Sequence, residues 1–341
     1  MRSVAHTSGV SGMLKNLLVF AFCMIANSAS AQVDLGSYNV NPNTVTVAGV
    51  SSGGAMAVQL QVAYSKRIFG TAVFAGITYF CARNTSAFVE ICLTGIGIPV
   101  SALVTITNEG AASGWIDPVS NIGGKPIYIF SGRKDQKVYP PAMDDLYDYY
   151  QSFTNKGSIT YNNTTDAAHA WVTPDGANAC DHFGSPYLNN CAIDPQETFL
   201  TMFYGTLNPR HSGTLGGNYI QFNQNKFCPN DDCSSISMDS TAWVFVPQSC
   251  AQQQACRLVI ALHGCLQNQQ TPGVGNSFIQ KSGINEWADG NNIIVLYPQT
   301  ISGNFDGCWD WFGYTGPNYA VRTAPQMIAI MAEVKQITGG N

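Results

Sequence analysis

The chain has 341 residues, only 11% of them charged, and a formal net charge of −5. A mildly acidic chain with no basic block offers nothing to hold nucleic acid phosphates. Its N-terminal apolar run, Leu17–Ile25, is well short of the ~20 residues a membrane-spanning helix needs.

Read in chain order, that run belongs to a leader. Arg2 and Lys15 precede it, and the small-residue pattern Ala29-Ser30-Ala31 follows it. This is the layout of a secretory signal peptide over residues 1–31, cleaved before Gln32. Residues 32–341 are then read as one domain of a secreted protein. Val45–Val50 is a β-branched apolar run and predicts a buried strand. Gly53–Ser65 predicts a helix, and Thr71–Ala75 a second strand. The stretch Ile77–Val119 reads as irregular chain. Pro126–Phe130 predicts a strand, Pro141–Phe153 a helix and Ser158–Asn162 a short strand. Glu197–Tyr204 predicts a helix. The Gly- and Asn-rich stretch Leu207–Asn225 is the best candidate for a division, and is read as a connection within the domain. Strands follow at Tyr219–Phe222, Trp243–Val246, Leu258–Leu262 and Ile293–Tyr297. One helix is predicted at Ser277–Ala288 and a last one at Pro325–Ile337. Strands alternating with helices predict an α/β fold, a mostly parallel sheet flanked by helices.

Cysteine usage agrees with export. Cys23 leaves with the leader, so ten of 11 remain. Cys81 and Cys92, Cys180 and Cys191, Cys228 and Cys233, and Cys250 and Cys256 lie close in sequence, which leaves Cys265 and Cys308. In an oxidising compartment this reads as five disulfides. The rival use of Cys228-Pro-Asn-Asp-Asp-Cys233 is a metal site. No second Cys or His pair stands near it in sequence, so no metal is expected.

The sharpest motif is Gly49-Val50-Ser51-Ser52-Gly53-Gly54. It follows an apolar strand and opens a helix, the context of the G-x-S-x-G nucleophile elbow. An ordinary Gly/Ser turn or phosphate loop is the alternative, but the lysine of the first phosphate-loop type and the G-x-G-x-x-G spacing are both absent. Ser51 holds the central position, and Ser52 is its rival. A serine nucleophile needs a base, and the base a carboxylate. Asp135 follows the strand ending at Phe130 and is the expected acid, with a solvated turn aspartate as the bland alternative. His169 follows Asp135, which gives the order Ser, Asp, His, and is the expected base. His182 is the runner-up, beside Cys180. His211 reads as an exposed loop residue, and Asp166 as a turn residue. Val259-Ile260-Ala261-Leu262-His263-Gly264-Cys265 is a strand running into a His-Gly turn, the form of an oxyanion loop. Such a loop normally precedes the nucleophile in the chain, and here it follows. The simplest explanation is a circular permutation; the alternative is a core strand with a structural histidine.

Together, Val47-Ala48-Gly49-Val50-Ser51-Ser52-Gly53-Gly54, Ala75-Gly76 with Cys81-Ala82-Arg83-Asn84, Leu262-His263-Gly264-Cys265-Leu266-Gln267 and Cys308-Trp309-Asp310-Trp311 resemble one family. It is the single-domain, circularly permuted extracellular poly(3-hydroxybutyrate) depolymerases. The resemblance covers nearly all of residues 32–341. It implies an α/β-hydrolase fold and a monomeric secreted serine esterase. Such an enzyme cuts polyester to short hydroxyacid oligomers and monomers through an acyl-enzyme, without metal or organic cofactor. It implies Ser51 as nucleophile, Asp135 as acid, His169 as base, and the N–H groups of Ser52 and Cys265 as oxyanion donors. Trp309 is a candidate for the pocket wall, or else a packed core aromatic. Many secreted depolymerases carry a separate polymer-binding domain. None is read here, so the catalytic surface is expected to meet the polymer surface and its oligomers. Feruloyl- and acetyl-type carbohydrate esterases share a similar Leu-His-Gly-Cys and Cys-Trp-x-Trp pair in unpermuted order. That activity, or a general short-chain carboxylesterase, is the alternative.

Overall fold

The computed structural model describes residues 1–5, 33–97 and 99–340. The chain divides into two units, Met1–Ala31 and Gln32–Asn341, and every element below belongs to the second. From residue 6 onward the expected leader lies outside the described residues. Among the described residues no helix is long and apolar enough to cross a membrane.

The chain opens with β1 (Val40–Val50), α1 (Ser52–Ala63) and β2 (Gly70–Phe74). Next come α2 (Val89–Thr94) and α3 (Val100–Ala112), where irregular chain was expected. The buried positions of α3 are Leu103, Thr107 and Gly110. Only one is strongly apolar, so helical spacing leaves no stripe to read. Then follow β3 (Ile127–Phe130), α4 (Pro140–Gln151) and β4 (Ile159–Asn162). The short strands β5 (Trp171–Val172), β6 (Asn178–Ala179) and β7 (Leu188–Asn190) form a small sheet of their own, ahead of α5 (Pro195–Tyr204). The second half holds β8 (Asn218–Asn223), β9 (Thr241–Val246), α6 (Gln248–Ala251) and β10 (Cys256–Leu262). It ends with α7 (Ser277–Lys281), α8 (Ile284–Ala288), β11 (Ile293–Tyr297) and α9 (Pro325–Ile337). The single helix expected over Ser277–Ala288 is thus two. Gly283 between them sits at φ 77°, where a side chain would strain the backbone and meet Thr173 Oγ1 at 2.5 Å.

The main sheet has eight strands in the order β4-β3-β2-β1-β10-β11-β9-β8. Strands β4 to β11 in that order run parallel, and β9 and β8 are antiparallel additions at one edge. Strand β1 is central: Val47 pairs with Ile260 of β10 on one side and with Thr71 of β2 on the other. Alternation sorts the strands into two cores. Val45, Val47, Val73, Ile129, Leu258 and Ile260 pack with α1, α3, α4 and α9. Ala48, Val50, Phe74, Phe130, Val259 and Ala261 pack on the other face with α5, α7 and α8. Both faces are covered, so the strands read as continuous apolar runs, and each fully buried Val or Leu contributes about 1.5–3 kcal/mol. The stretch Leu207–Asn225 contains β8, an edge strand of this sheet, and so is built into it.

All five expected cysteine pairs are disulfides: Cys81–Cys92, Cys180–Cys191, Cys228–Cys233, Cys250–Cys256 and Cys265–Cys308. The Cys228–Cys233 bond uses both sulfurs that the metal reading required.

Candidate active site

Between β1 and α1 the chain turns on Ser51, at φ 57° and ψ −122°. A non-glycine residue in this region is strained and persists only where its surroundings impose it. Here the Ser51 N–H donates to Phe74 O at 2.9 Å, and Ser51 O accepts the Ala55 N–H at 2.9 Å. Gly53 is needed for close approach. A Cβ there would stand 2.3 Å from His263 O and 2.4 Å from Leu262 O, so the end of β10 lies directly on α1. The serine therefore points out of the turn at the N-terminus of a buried helix, whose dipole favours negative charge.

Asp135 lies in the loop after β3 and is buried. Its Oδ2 is 2.8 Å from His169 Nδ1. Its Oδ1 accepts the N–H groups of Lys137 at 2.8 Å and Val138 at 3.0 Å. With Nδ1 held by the carboxylate, Nε2 is the ring nitrogen that Asp135 leaves unengaged.

Ser51, Ser52, His169, Gly264, Cys265 and Cys308 all line one cleft of about 590 Å³. Its other walls are mainly apolar and aromatic, among them Val89, Leu93, Phe183, Leu266, Trp311 and Phe312. Ser52 begins α1, and the helix supplies no acceptor for its first N–H groups. The Gly264 peptide passes beside Ser51: a Cβ on Gly264 would lie 3.3 Å from Ser51 Cβ. The residues expected to act together are thus gathered at one place. His182 is exposed and His211 bonds Thr214 O at 3.0 Å; neither lines the cleft.

Trp309 does not line the cleft either. It is fully buried, its Nε1–H donates to His263 O at 3.0 Å, and its N–H reaches Ser52 Oγ at 3.3 Å. It takes the core role of its two readings because its indole braces the oxyanion-type loop from behind. Trp311, two residues on, lines the cleft instead. The second Trp of the Cys-Trp-x-Trp motif was its only trace in the sequence. Gln267 was also missed. Buried in the loop, it accepts the Gly264 N–H at 2.8 Å and donates to Pro186 O and Tyr187 O, both at 3.1 Å.

A mostly parallel eight-stranded sheet with helices on both faces, and a serine on the strained turn after its central strand, is the α/β-hydrolase fold. No family model matches the chain. It is 40% identical over 329 residues to the polyhydroxybutyrate depolymerase of Talaromyces funiculosus, covering 91% of this chain and 94% of that one. It is 41% identical over 326 residues, 94% of this chain, to the poly(3-hydroxybutyrate) depolymerase of Delftia acidovorans. It spans only 64% of that relative's length. Two solved structures match at 39% identity with a TM-score of 0.83, covering 90% of this chain and 99% of theirs. One is the PHB depolymerase of Penicillium funiculosum, the other a serine-to-alanine variant of a PHB depolymerase complexed with R3HB trimer. The chain belongs to the polyhydroxybutyrate depolymerase family of carboxylic ester hydrolases.

Proposed function

We propose that the chain is a secreted esterase that hydrolyses poly(3-hydroxybutyrate)-type polyester to short hydroxyacid oligomers and monomers. The observation that carries this reading is the 2.8 Å pair of His169 and the buried Asp135, with His169 on the wall of the cleft that Ser51 also lines. His169 Nε2 takes the Ser51 proton as Oγ attacks the ester carbonyl. The tetrahedral oxyanion forms against the N–H groups of Ser52 and Cys265. Its collapse breaks the ester C–O bond, and His169 returns the proton to the leaving alcohol. Water, deprotonated by His169, then attacks the acyl-enzyme; the hydroxyacid end leaves and Ser51 regains its proton. The apolar walls suit a neutral polyester segment, and a relative's structure holds R3HB trimer. Five disulfides support an oxidising, extracellular destination, with the mature chain starting near Gln32.

The circular permutation is part of the same proposal. Strand β10, which leads into His263-Gly264-Cys265, pairs in parallel with β1, which leads into Ser51. Tyr38 N–H donates to Ile337 O at 2.9 Å, so the end of α9 lies against the approach to β1. A chain joined across this contact and opened in Leu207–Asn225 ahead of β8 should fold and keep esterase activity; its failure to fold counts against the permuted reading.

The decisive experiment is product analysis on amorphous polyhydroxybutyrate granules. Clearing, with release of 3-hydroxybutyrate and short oligomers that Ser51→Ala abolishes, is expected. Granules left turbid while feruloylated sugar or short-chain esters are cleaved would move the chain to the other esterase reading.

A further inference from the structure

We propose that His263 is a positioning residue that aims the backbone N–H of Cys265 into the cleft by holding the carbonyl of the same peptide unit. The inference rests on the ester-hydrolysing role of Ser51 proposed above.

His263 is fully buried, between the rings of Trp309 at 5.2 Å and Phe278 at 6.5 Å. Burial pushes its imidazole down to about 4, so it is neutral in the working range of the fold. A neutral imidazole has one donor and one acceptor nitrogen, and the neighbours decide which is which. Nε2 is 3.3 Å from the Thr300 N–H, which can only donate. The Thr300 hydroxyl, 3.4 Å from Nε2, gives its own proton to Gly307 O at 2.7 Å. Nε2 is therefore the acceptor and Nδ1 carries the proton. Nδ1 lies 2.8 Å from Gly264 O, which can only accept.

In a planar trans peptide the C=O and the following N–H point in opposite directions. Holding the Gly264 carbonyl toward His263 turns the Cys265 N–H away from it. Cys265 and Gly264 line the cleft beside Ser51. The neighbouring donors are already committed: Gly264 N–H goes to Gln267 Oε1 at 2.8 Å, and Leu266 N–H to Asp306 O at 2.7 Å. Among the described residues Cys265 N–H alone of the three has no protein acceptor. A donor left unpaired beside a nucleophile, with its peptide clamped from behind, is the preorganised element an oxyanion needs. Without the clamp, glycine at 264 puts no side chain in the way of a peptide flip.

The test is a pair of substitutions read by kcat and KM on a soluble 3-hydroxybutyrate oligomer, with thermal midpoints alongside. In His263→Asn the amide nitrogen takes the place of Nδ1 and keeps the donor to Gly264 O. In His263→Gln the terminal oxygen takes the place of Nε2 and accepts from Thr300, but the Gly264 carbonyl loses its donor. His263→Gln should lower kcat about 10²–10³-fold with KM within about threefold, and His263→Asn should retain kcat within about tenfold. If the Gln variant does not fold, His263→Leu, which has no donor, takes its place with the same expectation. Parent-like kcat in the donor-less variant overturns the role, as does an equal loss in both variants that follows their melting points, or a loss confined to KM. Ser51→Ala separates the two layers. If it stays active, the site itself is misassigned; if it is dead while His263→Gln is fully active, only the role of His263 falls.

Discussion

Replacing Glu333 by methionine should make the protein more stable, and increasingly so as pH rises. Glu333 lies on α9 with no exposed surface, and neither carboxyl oxygen has a hydrogen-bond partner. Burial alone holds its carboxyl well above the ordinary carboxylate range, so the folded protein keeps the proton. In the unfolded chain the same group releases its proton near pH 4.5. Below that pH both states bind the proton and the group has no pH-dependent effect. Above it the unfolded state binds fewer protons, and stability falls by about 1.4 kcal/mol per pH unit while the folded state stays protonated. The deficit grows with pH for as long as the folded state holds the proton, and is drawn from the 5–15 kcal/mol or so that holds a typical domain together. Methionine has a similar length, does not titrate, and removes a polar group that lacks partners, itself worth about 1–3 kcal/mol. Guanidinium unfolding of parent and Glu333→Met, disulfides intact, at pH 4.5, 6 and 7.5 measures the difference. The gap should widen with pH. Parallel curves would refute the reasoning, as would a variant that is less stable throughout.

Asp135→Asn should leave the fold intact and lower kcat by about 10³–10⁴-fold, because an amide at Oδ2 no longer selects the Nδ1–H form of His169; steady-state kinetics showing less than a tenfold loss would remove Asp135 from the triad. Gly53→Ala should lower both the melting point and kcat, since its Cβ would force His263 O, now 2.3 Å from that position, off α1. A parent-like melting curve for that variant would mean the approach is looser than described. Removing the Cys265–Cys308 bond by the double serine substitution frees a closure of sequence separation 43 and should destabilise by about 4 kcal/mol in the chain-entropy picture. It should also lower kcat, because both residues stand on the cleft wall. Calorimetry and kinetics under non-reducing conditions check both parts.

How much of this was legible follows from where each constraint acts. The central strands were, because both faces of a parallel sheet are covered and burial leaves an uninterrupted apolar run. Ile293–Tyr297 has the same ends in the sequence reading and in the fold. The strained turn at Ser51 was legible because it is a local object: the turn, its glycines and the helix start fit within six residues. The missed helices lack such local marks. In α2 only Cys92 is buried, while Val89 and Leu93 face the cleft, so its apolar residues serve the site rather than a core stripe. The tryptophan loop shows the limit most clearly. Trp309 and Trp311 belong to one motif, and nothing local says which of them is core. The choice is made by Ser52 and His263, 257 and 46 residues away, which take up the N–H and the indole of Trp309 and leave Trp311 to the cleft. The same holds for His263. Its side-chain protonation is set by Thr300, and its meaning by a peptide that becomes useful only once β10 lies beside β1. Motifs therefore single out candidate reacting groups, whereas the groups that hold them in place are found only once distant segments meet. That division explains why Ser51 and His169 could be singled out before the cleft they share was seen, with Asp135 behind His169, while the bracing roles of Trp309 and Gln267 could not.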